Sequence, residues 1–187
     1  MITKTINLET SRLLIRKIQK SDAKAMYTNW ASDPEVTKYL NWKTHENLNT
    51  TKEVIYSWLK QYDNDYFFQW GIEYKENKEL IGTISLFDFR NNSLEIGYCL
   101  AKKYWNQGIM SEVCNKVIDF AFNDVKVDFL RAKHIEENIA SRRVLEKCGF
   151  IFTRLTYEFV PSLNKYFNLV NYILLRRSLD ETIFVER

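Results

Sequence analysis

The hydrophobic period of this chain changes sharply at Gly108, and that change limits what it can fold into. Ahead of it, Leu94, Ile96, Tyr98 and Leu100 alternate with Glu95, Gly97 and Cys99, the two-residue period of a strand. Beyond it, Met110, Val113, Cys114, Val117, Ile118, Ala121, Phe122 and Val125 recur at steps of three and four, the stripe of an amphipathic helix. A strand therefore runs through a tight turn straight into a long helix. The N–H groups from about Gln107 to Ser111 lack partners inside such a helix and lie at the positive end of its dipole. That is a ready anion site, and Gly108 lets the backbone approach a phosphate with no Cβ in the way. Taken alone, the same glycine also reads as a turn residue beneath a solvated helix end.

Periodicity places the other elements. Strands are expected at about 12–18, 67–75, 79–89 and 93–100, the last three as an antiparallel meander because Glu76-Asn77 and Asn91-Asn92 supply turns. Ser21-Asp22 reads as a cap for a helix reaching about Trp30, and 34–62 as two helical pieces, the second from near Thr51. After the long helix come a strand near 129–135, a helix at about 139–148 closed by Gly149, and strands at about 150–160 and 166–175. Antiparallel strands leading into a β-α-β-α-β half predict an α/β layered fold. With no repeat and no Pro/Gly-rich linker, residues 1–187 are expected to form a single domain.

Composition excludes several classes. Hydrophobic residues at 45% and aromatics at 15% are far from a disordered composition. A net charge of +3, with acidic residues spread among the basic ones, tolerates an anionic ligand without implying nucleic acid. Cys99, Cys114 and Cys148 are too scattered for a disulfide framework, and His45 and His134 lie too far apart to suggest a metal site. No apolar run approaches the roughly 20 residues of a membrane span. The opening MITKTINLETSRLLIRK lacks the apolar core and cleavage site of a secretory signal. A soluble cytoplasmic protein without metal, membrane or nucleic-acid partner is expected.

Two stretches carry a resemblance. EIGYCL followed by YWNQGIMSEV resembles the acetyl-CoA signature of the GNAT N-acetyltransferase superfamily, and more narrowly its RimJ/RimL-like branch of ribosomal-protein alanine acetyltransferases. EENIASRRVLEKCGF resembles that superfamily's next motif, with Asn138, Ser141, Glu146, Lys147, Gly149 and Phe150 in register. TSRLLIRKIQKSDA resembles the branch's first strand and helix, whereas residues 40–66 match nothing diagnostic. The resemblance implies a mixed central sheet of about six or seven strands flanked by helices. It implies that the backbone of Asn106, Gln107, Gly108, Ile109, Met110 and Ser111 cradles the pyrophosphate of acetyl-coenzyme A. Tyr98, Cys99 and Leu100 would pair with the pantetheine arm as an added strand would, and Asn138 and Ser141 would meet the same arm. Met110 departs from the usual Gly or Ala and threatens to crowd the turn. Asn138 also reads as a helix cap, Ser141 as a solvated first-turn serine, and Lys147 with Arg142-Arg143 as a solvated face.

Acetyl transfer from a thioester to an amine needs a neutral amine, a polarised carbonyl and a tolerable thiolate. A lysine amine titrates near 10.4 and an α-amino group near 8, so a proton must leave at neutral pH, and a nearby carboxylate, directly or through a water, can take it. Glu95, on the strand leading to the turn, is the first candidate base; Glu158, on a later strand, is the second. Strand N–H groups near Tyr98 to Leu100 would polarise the carbonyl. Many relatives place a tyrosine where this chain has Leu145, which leaves Ser141, one turn earlier, as the candidate acid, or a water. No Cys-His pair suggests a covalent route.

The acceptor is an amine, either a protein N-terminus or a small molecule. Trp30, Tyr39, Trp42, Trp58, Tyr62 and Tyr66, with Asp63 and Asp65 nearby, offer an aromatic and partly acidic wall for a cation, or else plain core. A homodimer is compatible with the resemblance. The competing reading is a non-catalytic acyl-CoA-binding or sensor domain, which Leu145 and Met110 favour and Glu95 and Ser141 oppose.

Overall fold

The computed structural model describes residues 1–176. In chain order the elements are β1 (Leu8–Glu9), β2 (Leu13–Arg16), α1 (Ala23–Met26), α2 (Pro34–Thr37), α3 (Leu48–Leu59), β3 (Phe68–Tyr74), β4 (Glu79–Arg90), β5 (Ser93–Leu100), α4 (Ile109–Phe120), β6 (Phe129–Ile135), α5 (Ile139–Lys147), β7 (Ile151–Val160) and β8 (Lys165–Leu175). The strands form one eight-stranded mixed sheet in the order β1-β2-β3-β4-β5-β6-β8-β7. Its eight strands exceed the six or seven expected. The strand no periodicity announced is β1, whose two residues pair with Leu14 and Ile15 and are too few to show an alternation. The predicted meander is β3-β4-β5, antiparallel throughout.

Two local expectations need correction. Asp22 does not cap the first helix with its side chain; its carboxylate accepts from Gln19 N–H and from the Arg16 guanidinium. The third helix starts at Leu48 rather than near Thr51, because Asn47 Oδ1 accepts from the N–H groups of Asn49 and Thr50.

Crossover handedness arranges the layers. β5 pairs parallel with β6, and β6 and β7 both run antiparallel to β8. Right-handed crossovers travelling one way along the sheet put α4 and α5 on the same face. The two helices touch, with Cys148 Sγ 3.7 Å from Ser111 O. Phe120 at the end of α4 packs edge-on against Phe68 and Trp70, ring centroids 5.4 and 5.6 Å apart. Removing a buried ring of this kind typically costs about 3–5 kcal/mol. α1 and α3, which contact each other while α1 contacts β4, cover the opposite face. Among the described residues, no helix is long and apolar enough to cross a membrane.

The feature that makes a site is a fork. β5 and β6 pair only at Ser93↔Phe129, Leu94↔Leu130 and Glu95↔Arg131. Beyond that rung each strand keeps its outer partner: β5 stays with β4 to Leu100, and β6 with β8 to Ile135. Their inner edges separate, so the backbone groups of Ile96–Leu100 that face β6, apart from Leu100 O, which accepts from Trp105 Nε1, are left for another extended chain to pair with.

Candidate active site

The fork opens into a cavity of about 1180 Å³ reached from both faces of the sheet. A single small-ligand site usually occupies about 300–1,000 Å³, so there is room for two reactants. The catalytic and cofactor-binding candidates named from the sequence all line this one cavity: Glu95, Tyr98, Cys99 and Leu100 on β5, the whole turn from Asn106 to Ser111, and Asn138 and Ser141 at α5. Glu158 lines it as well.

At the mouth of the fork, Gly108 caps α4 with φ +70°, a left-handed conformation that disfavours a side chain. A Cβ built there meets nothing within 4 Å, so the backbone angle, not crowding, demands glycine. Asn106 is left-handed too, with φ +60°. The turn is held from below. Trp105 Nε1 donates to Leu100 O at 2.8 Å, and Gln107 Nε2 donates to Lys103 O at 3.0 Å. Arg12, on the neighbouring loop, donates to Gln107 O at 3.3 Å and pairs with Glu112 at 2.6 Å. The N–H groups of Ile109, Met110 and Ser111 begin the helix without intrahelical acceptors, the ladder starting at Glu112 N to Gly108 O. Met110 does not crowd this turn: its side chain is buried in the core.

Across the fork, the Tyr98 hydroxyl lies 3.0 Å from Ser141 Oγ and donates to Ser141 O at 3.2 Å. Asn138 caps α5 by accepting from Ser141 N–H at 3.1 Å. The strand and the first turn of the helix are thereby joined. Burial raises the Tyr98 hydroxyl well above the ordinary tyrosine range, partly offset by the Ser141 hydrogen bond. Cys99 is buried, and burial pushes its thiol up, which makes it a poor nucleophile. Leu145 is fully packed in the core and brings no polar group to the site.

The two carboxylates differ. Glu95 sits at the vertex of the fork, its carboxylate largely withdrawn from solvent, with Oε2 3.4 Å from Arg131 Nη1. Burial raises its pKa, opposed by Lys133 and Arg131 and reinforced by Asp88. Glu158 is more exposed; Thr156 donates to it at 2.7 Å and Lys133 Nζ lies at 3.3 Å. The Thr156 hydrogen bond and the Lys133 charge hold it below the usual range. A base near neutral pH needs a raised carboxyl, so environment favours Glu95.

The aromatic wall divides. Tyr39, Trp42 and Trp58 line the cavity, with buried His45 beside Trp42 at 5.1 Å between centroids. Trp30 is core; the Tyr62 hydroxyl is spent on Ile18 N and Gln69 O; Tyr66 stacks on Phe89 away from the cavity. Asp65 pairs with Lys4 at the surface, so neither it nor Asp63 contributes to the wall. The acids that reach the cavity instead include Glu35 and Glu137. Sequence reasoning missed Arg12, Arg131 and Lys133. The last two alternate on β6 and share the face of Glu95, a pattern visible in LRAKHI once the strand is paired. Among the described residues, no cluster of three or more His, Cys, Asp or Glu side chains could hold a metal ion.

The chain is similar to known proteins in sequence and in fold. A family model described as acetyltransferase (GNAT) domain matches residues 12–151. The uncharacterised N-acetyltransferase YoaA of Bacillus subtilis (strain 168) is 34% identical over 145 residues, 76% of this chain and 81% of that protein. The uncharacterised N-acetyltransferase p20 of Bacillus licheniformis is 31% identical over 177 residues, 91% and 96% respectively. RimL, a ribosomal L7/L12 alpha-N-protein acetyltransferase solved in complex with coenzyme A, shares the fold with a TM-score of 0.80 at 17% identity, covering 91% of this chain and 98% of that one. With the matched domain spanning both the Gly108 turn and the Ser141 helix, the chain belongs to the GNAT family of acetyltransferases.

Proposed function

We propose that this acetyltransferase binds acetyl-CoA and an amine together and transfers the acetyl group by direct attack, with Glu95 as base. The observation that carries it is the fork: one cavity holds the anion-ready turn at Gly108, the unpaired edge of β5 and a desolvated carboxylate at the vertex. The pyrophosphate would sit on the N–H groups of residues 106–111, and the pantetheine arm along Tyr98 to Leu100. The amine enters from the side of Tyr39, Trp42 and Trp58. Glu95 takes its proton, directly or through one water, and the nitrogen attacks the thioester carbon; the adduct then collapses with cleavage of the C–S bond, the nitrogen sheds its second proton as the amide forms, and the coenzyme A thiolate takes up a proton and leaves as the thiol. On the leaving-group side stands Ser141, hydrogen-bonded to Tyr98.

The acceptor is a protein N-terminal amine or a small-molecule amine, the first in keeping with RimL, which acetylates a ribosomal protein. The site assignment is tested by titrating acetyl-CoA calorimetrically into Gly108→Asp. A carboxylate at the phosphate position should abolish binding, and unchanged affinity in a folded variant would contradict the assignment.

A further inference from the structure

We propose that His45 selects the acceptor, its Nε2–H donating a hydrogen bond to an oxygen carried by the amine substrate. This rests on the acetyl-transfer reading above and narrows it. Amines that bear such an oxygen fit the site; polyamines, whose polar groups are cationic donors at neutral pH, do not.

Placement puts His45 on the side of the base. Phe68 faces α4, where Phe120 packs on it; Phe68 pairs with Leu86, and Leu86 with Ile96. Residues paired across strands share a face, so Ile96 lies on the α4 side and its neighbour Glu95 on the α1/α3 side. His45 stands in the loop leading into α3 and is bound to that helix, its Nδ1 2.8 Å from Thr51 Oγ1. Its backbone N–H donates to Ala31 O at 2.8 Å, and its ring lies beside Trp42. The imidazole therefore borders the cavity where the amine arrives.

The second ring nitrogen points to a ligand. His45 is only 6% exposed, and among the described residues its Nε2 has no hydrogen-bond partner. Trp30 Nε1 is the one side-chain nitrogen or oxygen among those residues that is both sealed from solvent and unpartnered. Nε2 of His45 is thus unpartnered yet open, and the space that His45 lines is the cavity. Thr51 decides which nitrogen carries the proton. It is fully buried, and His45 Nδ1 is the acceptor for its hydroxyl proton. Nδ1 therefore accepts, and the neutral ring keeps its single proton on Nε2. Burial lowers the His45 pKa, which holds the ring neutral at neutral pH. A fixed N–H in a wall that includes Val54, Trp42 and Trp58 can donate to an oxygen and cannot accept from an ammonium. A substrate that lacks the oxygen leaves this buried donor unpaired, and that discriminates.

The test measures thiol release in the full chain with L-alaninamide, an alanine-led tripeptide amide, isopropylamine and spermidine. The first two carry the oxygen and the last two do not. His45→Asn keeps an amide within reach of Thr51 but withdraws the donor from the cavity. KM for the two oxygen-bearing amines should rise about 10-fold, the scale of one hydrogen bond, with acetyl-CoA affinity held within a few-fold. The loss for isopropylamine and spermidine should be much smaller. His45→Gln, whose amide N–H comes close to the place of Nε2, should recover most of the loss. The lower KM of the two oxygen-bearing probes tells whether a protein N-terminus or a small amide is the source of the oxygen. A second readout needs no variant: the ring nitrogen NMR resonances of His45 in the coenzyme A complex should report a proton on Nε2, and the Nε2 resonance should move on addition of L-alaninamide. Equal losses on all four amines, an unchanged KM in His45→Asn, or a proton on Nδ1 would each overturn the proposal. A wild-type protein that binds acetyl-CoA and acetylates no amine would contradict the transfer reading instead, and the Nε2 response to L-alaninamide would still decide on His45.

Discussion

Glu95 Oε2 stands 3.4 Å from Nη1 of Arg131 on the last rung where β5 and β6 pair. The same guanidinium reaches Asp88 Oδ2 at 2.9 Å and Ser93 Oγ at 3.2 Å. Arg131 is thus divided among three oxygen-bearing partners, and the longest of these contacts is to Glu95. The Glu95 carboxylate thus shares its cation with two other residues, and burial raises its pKa, as the proposed base requires.

Glu95→Gln keeps the shape and removes the proposed base. Turnover should fall by roughly 10² or more, with acetyl-CoA affinity unchanged in calorimetry. The deficit should shrink as pH rises and the amine loses its proton unaided. A deficit uniform across pH would assign Glu95 to positioning, and no deficit would shift the role to Glu158.

Lys133→Met tests the electrostatics of the same carboxyl. Burial raises the Glu95 pKa, and the Lys133 charge is the leading influence pulling it back. Without that charge the pKa rises further. A base acts when ionised, so activity present above its pKa is lost as pH falls through it. The acid limb of kcat/KM should therefore move to higher pH in Lys133→Met, with rates converging above it. A limb that moves down or stays in place would contradict Glu95 as the titrating base.

Arg12 ties the loop after β1 to the Gly108 turn, the proposed pyrophosphate site, through Gln107 O and Glu112. Arg12→Ala releases the turn and leaves the Glu112 carboxylate with the Thr10 hydroxyl but without its cationic partner beside the proposed phosphates. Acetyl-CoA affinity should weaken about 5- to 50-fold, on the scale of 1–2 kcal/mol for a partly buried charge pair. Arg12→Ala with Glu112→Gln should recover part of that loss, because repulsion is removed even though the tie is not. Equal affinity in all three proteins would show that the pair serves folding alone.

Most of the fold is legible in the local periodicity of the chain. Alternation places β3, β4 and β5 within a residue or two, and the three-and-four spacing after Gly108 places α4. The strand-turn-helix junction fixes the geometry of Tyr98 to Ser111 locally, while Asn138 and Ser141 join the same cavity through the pairing of β5 with β6. What stays hidden depends on pairing between distant segments. The loss of register between β5 and β6 after Glu95, the Tyr98–Ser141 contact across 43 positions and the Arg12 tie across 95 leave no trace in any single window. The early aromatics are ambiguous for a related reason. A ring reads alike in sequence whether it fills the core, as Trp30 does, or borders a cavity, as Trp42 does.

The most direct measurement is thiol release from acetyl-CoA in the presence of an amine panel spanning protein N-terminal peptides, polyamines and aminoglycosides, with acetylated product confirmed by mass. The fork, with its turn, strand edge and desolvated Glu95, predicts amine-dependent thiol release matched one-to-one by acetylated amine, and its loss in Glu95→Gln. Acetyl-CoA binding without amine-dependent release on any member would contradict it, leaving a domain that holds the acyl donor and transfers nothing.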